Sequence, residues 1–348
     1  MKALTFHGDR TVRYESIADP TLQDPADALV KVKLCAICGS DLHVYHGREQ
    51  GCDHATAMGH EFVGKVVEVG KDVDRLKVGD LVMSPFSTSC GQCEYCLSGL
   101  TSRCIHSQLF GWRQHGKGLH GGQAEYVRVP QAEHTLLPIP STISLEQALL
   151  LGDVIPTGYF CAHQADINPG KVYVVVGCGA VGLMTILGAF EQGATTVYAI
   201  DTLPERLIFA EAFGAIPIDA SVRDPLQVVK AIHSQGADAV MEAVGNNESL
   251  QLAYNLVRPG GIISMVGVNT ASTLPFSPAD AYDKNLTLKV GRCPARFFMQ
   301  KLLPMVASGK YDYTSIISHR MELRDGVTGY AMFSEKKDKC VKVLLHCS

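Results

Sequence analysis

Hydrophobic and polar positions follow two different patterns along the chain. From about residue 157, short apolar runs typical of buried strands alternate with helical segments. The strand-like runs are Val172–Val176, Thr196–Ile200, Ala239–Ala243, Ile262–Val268 and Leu286–Val290, and the helical segments include Leu183–Phe190, Pro204–Phe213 and Pro225–Ser234. This alternation predicts an α/β fold with a doubly wound parallel sheet.

The rest of the chain has a different pattern. Residues 1 to about 155 are mostly β-like, with short runs between glycine- and proline-bearing turns at Ala28–Leu34, Phe62–Val69, Leu81–Met83 and Ala124–Val129. After about residue 295 come a helical segment, Phe297–Ala307, and a strand-like end, Val341–Leu345. We therefore expect a β-rich first domain, a βα domain after it, and a tail that returns to the first domain.

A glycine turn follows the first strand of the βα domain. Gly177, Gly179 and Gly182 form a G-x-G-x-x-G pattern, which also contains Val181. Such a turn binds a dinucleotide phosphate: the first glycine makes the tight turn, the second admits the pyrophosphate and the third lets helix and strand pack closely. Asp201 ends the next strand, 19 residues after Gly182, where a carboxylate accepts hydrogen bonds from a ribose. An ordinary strand-turn-helix is the alternative.

Composition narrows the class of protein. The 348 residues are 46% hydrophobic and 19% charged, with a formal net charge of −4, which indicates a globular chain of two domains. The sequence shows no basic patch for nucleic acid and no secretory h-region at its N-terminus. The uncharged stretch 172–190 is interrupted by four glycines, which favours a buried strand and helix over a membrane span.

The 12 cysteines indicate metal binding. Cys90, Cys93, Cys96 and Cys104 read C-x2-C-x2-C-x7-C in one short loop. Four thiolates match a closed, structural zinc site, whereas an iron–sulfur cluster and a group of buried thiols without metal are the alternatives. Bunched cysteines in a chain this long, with no secretion signal, predict a reducing, cytoplasmic setting.

A second set of metal-binding residue types lies earlier in the chain. Cys38 and His60 supply a thiolate and an imidazole, with Glu61 beside them and Asp41 as a candidate hydrogen-bond partner for His60. A catalytic zinc needs three protein ligands and an open position. Asp153, just before the βα domain, is the candidate third ligand. Cys35 and Cys38 form a C-x2-C pair, so a redox dithiol is the rival use, which the lack of a surrounding βαβ pattern weakens.

Together these residues resemble the zinc-dependent medium-chain alcohol dehydrogenases over essentially the whole chain. The resemblance is carried by six motifs in order: Cys38-Gly-Ser-Asp-Leu-His43, Gly59-His60-Glu61, the four-cysteine loop, Gly121-Gly122-Gln123-Ala124-Glu125-Tyr126, the segment from Gly152 to Tyr159, and the glycine turn. It implies a GroES-like β-rich catalytic domain over 1–155, completed by 295–348, and a Rossmann dinucleotide-binding domain over 156–294.

The resemblance also implies roles for individual residues. Cys38, His60 and Asp153 hold the catalytic zinc, although many relatives have cysteine at the last position. Glu61 matches an acid that joins the zinc in some members, and Ser40 matches the hydroxyl that touches the zinc-bound alcohol. His43 matches the end of a proton relay, reached through the nicotinamide ribose. The expected cofactor-binding residues are Gly177, Gly179, Val181, Gly182, Asp201, Arg206, Thr157 and Lys342, with Lys342 against the pyrophosphate.

The sequence also gives expectations for the cofactor and, in less detail, for the substrate. Asp201 favours a free ribose 2′-hydroxyl, so NAD is expected over NADP, and Arg206 is either a cofactor contact or a solvated helix charge. By resemblance, Phe86, Trp112 and Cys293 fall near the substrate pocket, with core packing as the alternative for Trp112. A small to medium alcohol or carbonyl compound is the expected substrate. Polyol or threonine dehydrogenase activity is the alternative, and an inactive cofactor-binding relative is the second. A homotetramer is favoured over a dimer by analogy of fold.

Overall fold

The structure is a computed structural model that describes residues 1–347. It divides into two compact units. The first contains Met1–Asp153 and the residues from Pro294 onward, and the second contains Val154–Cys293. Among the described residues, no helix combines the length and the apolar character that crossing a membrane requires.

The first unit begins with a β-rich segment that contains only short helices. Its strands are β1 (Lys2–Phe6), β2 (Val12–Ser16), β3 (Ala28–Ile37), β4 (Thr56–Ala57), β5 (Phe62–Val69), β6 (Leu81–Met83), β7 (Trp112–Gln114), β8 (Lys117–Leu119), β9 (Tyr126–Val129) and β10 (Leu137–Pro138). Its helices are α1 (Asp41–Tyr45), α2 (Glu94–Leu97), α3 (Ala132–Thr135) and α4 (Leu145–Gly152).

The second unit alternates strands and helices. Its elements in order are α5 (Val154–Gln164), β11 (Val172–Val176), α6 (Ala180–Glu191), β12 (Thr196–Asp201), α7 (Pro204–Ala212), β13 (Ile216–Asp219), α8 (Pro225–Ile232), β14 (Ala237–Glu242), α9 (Asn247–Leu256), β15 (Val257–Met265), α10 (Pro278–Asp283) and β16 (Thr287–Val290). All strand pairs are parallel, in the order β13-β12-β11-β14-β15-β16. The predicted doubly wound sheet is confirmed.

The tail completes the first unit. It contains α11 (Ala295–Ala307), β17 (His319–Glu322), α12 (Gly326–Ser334) and β18 (Val343–His346). β18 pairs antiparallel with β3, so that Val343 lies opposite Ile37, and the main sheet runs β10-β6-β5-β3-β18-β17 with β9 also on β3. In the middle of β3 burial alternates, with Val30 and Val32 fully buried and Lys33 exposed, whereas residues 34–37 are all buried, so this end of the strand is covered on both faces.

Several predicted boundaries shift. β3 runs three residues beyond the predicted Leu34, and β15 begins five residues before the predicted Ile262. The strand β13 was not predicted. It contains Pro217 and lies at the edge of its sheet, where a missing backbone N–H is tolerated.

Candidate metal centres and cofactor site

One cluster in the first unit joins residues from three separate parts of the chain. Cys38 follows β3, His60 and Glu61 precede β5, and Asp153 follows α4. Their ligand atoms all lie within 4.8 Å of one another. The His60 Nε2 atom is 3.3 Å from Asp153 Oδ2, and the Cys38 Sγ atom is 3.7 Å from the same oxygen. The fold therefore gathers a thiolate, an imidazole and two carboxylates at one point.

The orientation of His60 is set by Asp41 in the first turn of α1. Its Oδ1 atom lies 3.2 Å from His60 Nδ1, and its Oδ2 atom accepts a hydrogen bond of 2.9 Å from the Cys38 backbone N–H. A proton held on Nδ1 leaves the Nε2 lone pair facing Cys38 and Asp153. The predicted contact between Asp41 and His60 is confirmed.

Glu61 forms an ion pair with Lys342, which the sequence analysis did not predict. Lys342 Nζ lies 2.5 Å from Glu61 Oε1, and both side chains are almost completely buried. The expectation placed Lys342 against a pyrophosphate, but residue 342 lies just before β18, whose pairing with β3 brings this ammonium into the cluster. The geometry thus engages Lys342 with a carboxylate, and a pyrophosphate contact has no support from it.

Buried charges shift the protonation of the cluster. Burial raises the pKa of Glu61 to about 7, although Lys342 opposes the shift. Burial also favours the neutral form of Asp153, but the hydrogen bond and charge of His60 outweigh it and bring the pKa to about 2. Burial would lower the pKa of His60, yet the charges of Asp41 and Cys38 raise it well above its usual range. The buried acidic groups therefore favour the presence of a cation at this cluster.

This donor set fits a zinc ion. Zinc binds thiolate, imidazole and carboxylate ligands in one tetrahedral site, and three such ligands leave one position open. The second oxygen of Glu61, Oε2, is buried and has no hydrogen-bond partner among residues 1–347. An unsatisfied buried carboxylate oxygen next to three ligand atoms is compatible with a nearby cation.

Three other predicted residues lie around this cluster. The Ser40 Oγ atom is 3.3 Å from His60 Nε2. His43 lies on α1 and is half-buried; its Nδ1 atom has no hydrogen-bond partner within the described chain, and burial lowers its pKa. The Phe86 ring stands edge-on to the His60 ring, with centroids 6.5 Å apart. Ser40 and Phe86 thus adjoin the imidazole.

The four-cysteine loop forms a second group. The sulfur atoms of Cys90, Cys93, Cys96 and Cys104 lie within 4.8 Å of one another. Backbone N–H groups point at them: Cys90 N–H donates to Cys104 Sγ at 3.2 Å, and Cys93 N–H donates to Cys90 Sγ at 3.4 Å. Backbone hydrogen bonds lower the pKa of Cys93 to about 6. Burial raises the pKa of Cys96 to about 12 and also raises that of Cys104. The grouping of four sulfur atoms with backbone donors around them is what suits a closed tetrahedral metal site.

The redox alternative for the earlier cysteine pair gains no support. Cys35 and Cys38 form no disulfide bond, and the Cys35 Sγ atom lies 3.7 Å from that of Cys347. Burial raises the pKa of the Cys35 thiol well above its usual value. A buried thiol of raised pKa is a poor nucleophile.

The glycine turn in the second unit has the expected form. Gly177 has φ +93°, a left-handed conformation that favours glycine. A Cβ on Gly182 would lie 1.7 Å from the Gly177 carbonyl oxygen, so α6 packs on the turn only because this residue is glycine. A Cβ on Gly179 would meet no closer atom than Arg206 Nη1, at 3.8 Å. The N-terminus of α6, which also carries Val181, therefore has free space in front of Gly179.

Asp201 is anchored beside this turn. Its Oδ2 atom accepts a hydrogen bond from Cys178 N–H at 2.7 Å, and its Oδ1 atom accepts from Thr202 N–H at 2.7 Å. Arg206 Nη1 lies 3.6 Å from Asp201 Oδ2, and the arginine side chain is only 17% exposed. Arg206 is thus an ion-pair partner of Asp201 and not a freely solvated helix charge.

The other predicted residues lie on different elements. Thr157 is half-buried on α5, and Cys293 is buried at the end of the second unit. Trp112, on β7, is half-buried and packs against the core of the first unit, which supports the packing alternative. Gln123 belongs to one of the motifs of the resemblance, which gave it no role, and Tyr330 was not singled out. Both are fully buried; Gln123 donates to Asp41, and Tyr330 donates to Gln123.

Comparison with known proteins gives matches along most of the chain. Residues 24–141 match the family model of the alcohol dehydrogenase GroES-like domain, and residues 180–308 match that of the zinc-binding dehydrogenase. These matches confirm the predicted fold class.

Individual relatives extend the similarity. Zinc-type alcohol dehydrogenase B of Aspergillus flavus is 39% identical over 97% of this chain and 79% of its own length. The solved structure of an alcohol dehydrogenase from Thermus sp. ATN1 is 39% identical, with a TM-score of 0.92 over 99% of both chains. Sorbitol dehydrogenase of Bacillus subtilis is 29% identical over 99% of this chain and 97% of its own.

Proposed function

Because the chain belongs to the family of zinc-type alcohol dehydrogenases, we propose that it transfers a hydride between NAD and a small to medium secondary or primary alcohol or its carbonyl product. The observation that carries the proposal is the cluster of Cys38, His60 and Asp153 with the Ser40 hydroxyl beside it. An inactive relative would have no use for this complete set of donors. NAD supplies the hydride acceptor.

We assign Cys38, His60 and Asp153 as the ligands of a catalytic zinc, and the four cysteines of the loop as those of a structural zinc. A zinc ion at the first site supplies Lewis acidity, which lowers the pKa of a bound alcohol or polarises a carbonyl oxygen. Asp41 fixes the imidazole, and Lys342 holds one oxygen of Glu61. Glu61 thereby stays next to the ligands without being one of the three.

Ser40 and His43 are proposed to move the proton. The Ser40 hydroxyl, next to His60 Nε2, would accept the proton of the alcohol and at the same time release its own proton toward His43. His43, three residues on and partly exposed, passes it toward solvent; its lowered pKa keeps the imidazole neutral at pH 7 and able to accept it. Phe86 excludes water at the side of His60.

The cofactor is proposed to be NAD, bound by the second unit. The N-terminal end of α6 at Gly179 offers backbone N–H groups and free space to a pyrophosphate. Asp201 ends β12 beside this turn, where its carboxylate accepts from a ribose 2′-hydroxyl and repels a 2′-phosphate. Arg206 is already engaged by Asp201, which weakens its use as a phosphate ligand.

A polyol substrate is the second candidate, because the Bacillus subtilis relative is named a sorbitol dehydrogenase and aligns over nearly the whole chain. Threonine is the other alternative. We further propose a homotetramer, by analogy of fold, in a reducing, cytoplasmic compartment that would keep the bunched cysteines available as metal ligands. Molar mass in solution tests the tetramer.

The test is formation of NADH by the purified chain with 2-propanol, 2-butanol, a long primary alcohol, sorbitol and threonine, each with NAD and NADP. Turnover of the simple alcohols with NAD supports the proposal, and turnover only of sorbitol or threonine moves it to the alternative. A clear preference for NADP would contradict the role of Asp201. No turnover of any substrate, together with a single bound zinc, would indicate an inactive cofactor-binding relative.

A further inference from the structure

A buried amide lies behind the proposed zinc ligand His60. Gln123 is fully buried between β8 and β9. Its Nε2 atom donates to Ala36 O at 3.0 Å and to Asp41 Oδ2 at 3.2 Å, while its Oε1 atom accepts from the Tyr330 hydroxyl at 2.8 Å. A backbone carbonyl and a carboxylate are acceptors, so the amide has one orientation only. All its N–H groups are used.

The same side chain packs against the backbone that carries His60. Gly59 has φ +86°, and a Cβ there would lie 2.3 Å from Gln123 Cγ. Backbone bonds fasten the two segments together, since Gln123 N–H donates to Met58 O at 2.9 Å and Gly122 N–H donates to Gly59 O at 2.9 Å. Gln123 therefore touches both the partner of His60 and the residue before it.

The far end of the connection comes from the tail. Tyr330 lies on α12, is fully buried, and its ring centroid is 5.4 Å from that of Tyr45 on α1. Burial raises the pKa of this phenol well above its usual value, so it remains a hydrogen-bond donor at neutral pH. Tyr330 thus fixes Gln123 from the side opposite to Asp41.

We propose that Gln123 and Tyr330 are positioning residues for the catalytic metal, acting through Asp41 on His60. Asp41 accepts from Cys38 N–H, from Gln123 and from His60, so two of its three partners are themselves proposed ligands. Removal of the Gln123 donor frees the carboxylate to rotate and leaves buried acceptors unsatisfied. The His60 imidazole is then no longer held in the orientation that binds the metal. This inference rests on the metal site proposed above.

The test measures metal binding rather than turnover. Co²⁺ replaces Zn²⁺ in the full-length protein, and its absorption separates a site with one thiolate from a site with four. We compare Gln123→Met, Tyr330→Phe and Asp41→Asn with Tyr173→Phe, a matched control that removes a buried hydroxyl bonded to Asn168 in the second unit. Thermal stability is recorded for each.

The expected result is a roughly 10- to 100-fold loss of Co²⁺ affinity at the one-thiolate site for Gln123→Met and Asp41→Asn, and a smaller loss for Tyr330→Phe. The four-thiolate site and Tyr173→Phe remain unchanged in affinity. If Asp41→Asn weakens the metal while Gln123→Met and Tyr330→Phe bind it as tightly as the unaltered protein, the inference is wrong, even where stability falls. If the unaltered protein binds no metal at Cys38 and His60, the proposed function itself fails.

Discussion

The ammonium group of Lys342 and the carboxylate of Glu61 form an ion pair 2.5 Å long, with side chains 1% and 0% exposed. Charges this deeply buried are costly unless each has its partner, because water no longer solvates them. Glu61 is adjacent to His60 in sequence, so this pair balances charge directly at the proposed metal site.

Loss of Lys342 is expected to destabilise the protein. Lys342→Met leaves the Glu61 carboxylate buried without its cation, which typically costs about 3–5 kcal/mol of unfolding free energy. Urea unfolding measures it, and the double variant Lys342→Met/Glu61→Leu is expected to recover part of the loss. If Lys342 served mainly a pyrophosphate, the single variant would raise the KM for NAD and leave stability intact.

Removal of His60 is expected to empty one metal site selectively. His60→Ala deletes one of three proposed ligands and should lower the zinc content from two to one per chain, with activity lost. The cysteine loop keeps its zinc because its ligands are all its own. Metal analysis and NADH formation are the measurements, and His163→Ala, an exposed histidine on α5, is the control. Two zinc ions and full activity in His60→Ala would refute the site.

Asp201 is expected to control the choice of cofactor. Asp201→Asn removes a charged acceptor, and one charge-assisted hydrogen bond is worth about 1.5–3 kcal/mol, or roughly 10- to 100-fold in affinity for NAD. Discrimination against NADP should decrease, since the repelling charge is gone. Binding of both cofactors is measured by titration. Asp219→Asn, at the end of the neighbouring strand β13, is the control, and an equal effect there would argue against a specific role.

Alanine substitutions at Gly179 and Gly182 are expected to have different effects. Gly182→Ala places a Cβ 1.7 Å from the Gly177 carbonyl, so we expect loss of folded protein or a marked drop in melting temperature. Gly179→Ala has room and should fold normally, yet bind NADH weakly because the methyl group fills the space in front of the helix terminus. Tight NADH binding by Gly179→Ala would contradict this placement of the pyrophosphate.

His120 gives the first unit a dependence on pH. Its Nδ1 atom accepts from Ala57 N–H at 3.0 Å, and burial, assisted by Arg113, lowers its pKa from 6.5 to about 4. As the pH falls, His120 therefore binds a proton near pH 6.5 in the unfolded chain but only near pH 4 in the folded chain. Stability is complete above pH 6.5 and decreases as the pH falls toward 4.

We expect this histidine to account for roughly 1–2 kcal/mol of the loss, a value reduced for its partly exposed ring. His120→Gln keeps an acceptor but does not titrate, so its unfolding free energy should vary less between pH 7 and pH 4. Equal pH profiles for the two proteins would show that His120 has the same pKa in the folded and the unfolded chain, which would contradict this prediction.

The sequence predicted the parts of the site whose residue types carry a chemical signature. Cys38, His60 and the four cysteines are ligand types at ligand spacing, and Asp41 lies close enough in sequence to Cys38 to share its turn. Asp153 was a candidate from its place just before the βα domain, and only the resemblance assigned it as the third ligand, since a single aspartate has many uses. The structure brings its carboxylate within 3.3 Å of His60.

Other features depend on tertiary structure. Gln123 and Tyr330 are 207 positions apart, and neither an amide nor a phenol signals a metal site. The position of Lys342 depends on the register between β18 and β3, which the sequence of the tail alone does not determine. β13 was missed because Pro217 lowers its strand propensity, although an edge position tolerates it.

The antiparallel pairing of β18 with β3 has a consequence for how the protein is made. β3 ends one residue before Cys38, yet its neighbour β18 lies in the sheet beside it from a part of the chain that is synthesised much later, with Val343 opposite Ile37. Until then β3 lacks one hydrogen-bonded partner, and Glu61 has no counter-ion. All residues of the second unit precede β18 in the chain, so this unit can fold first, whereas the first unit keeps an open sheet edge until β18 has been synthesised.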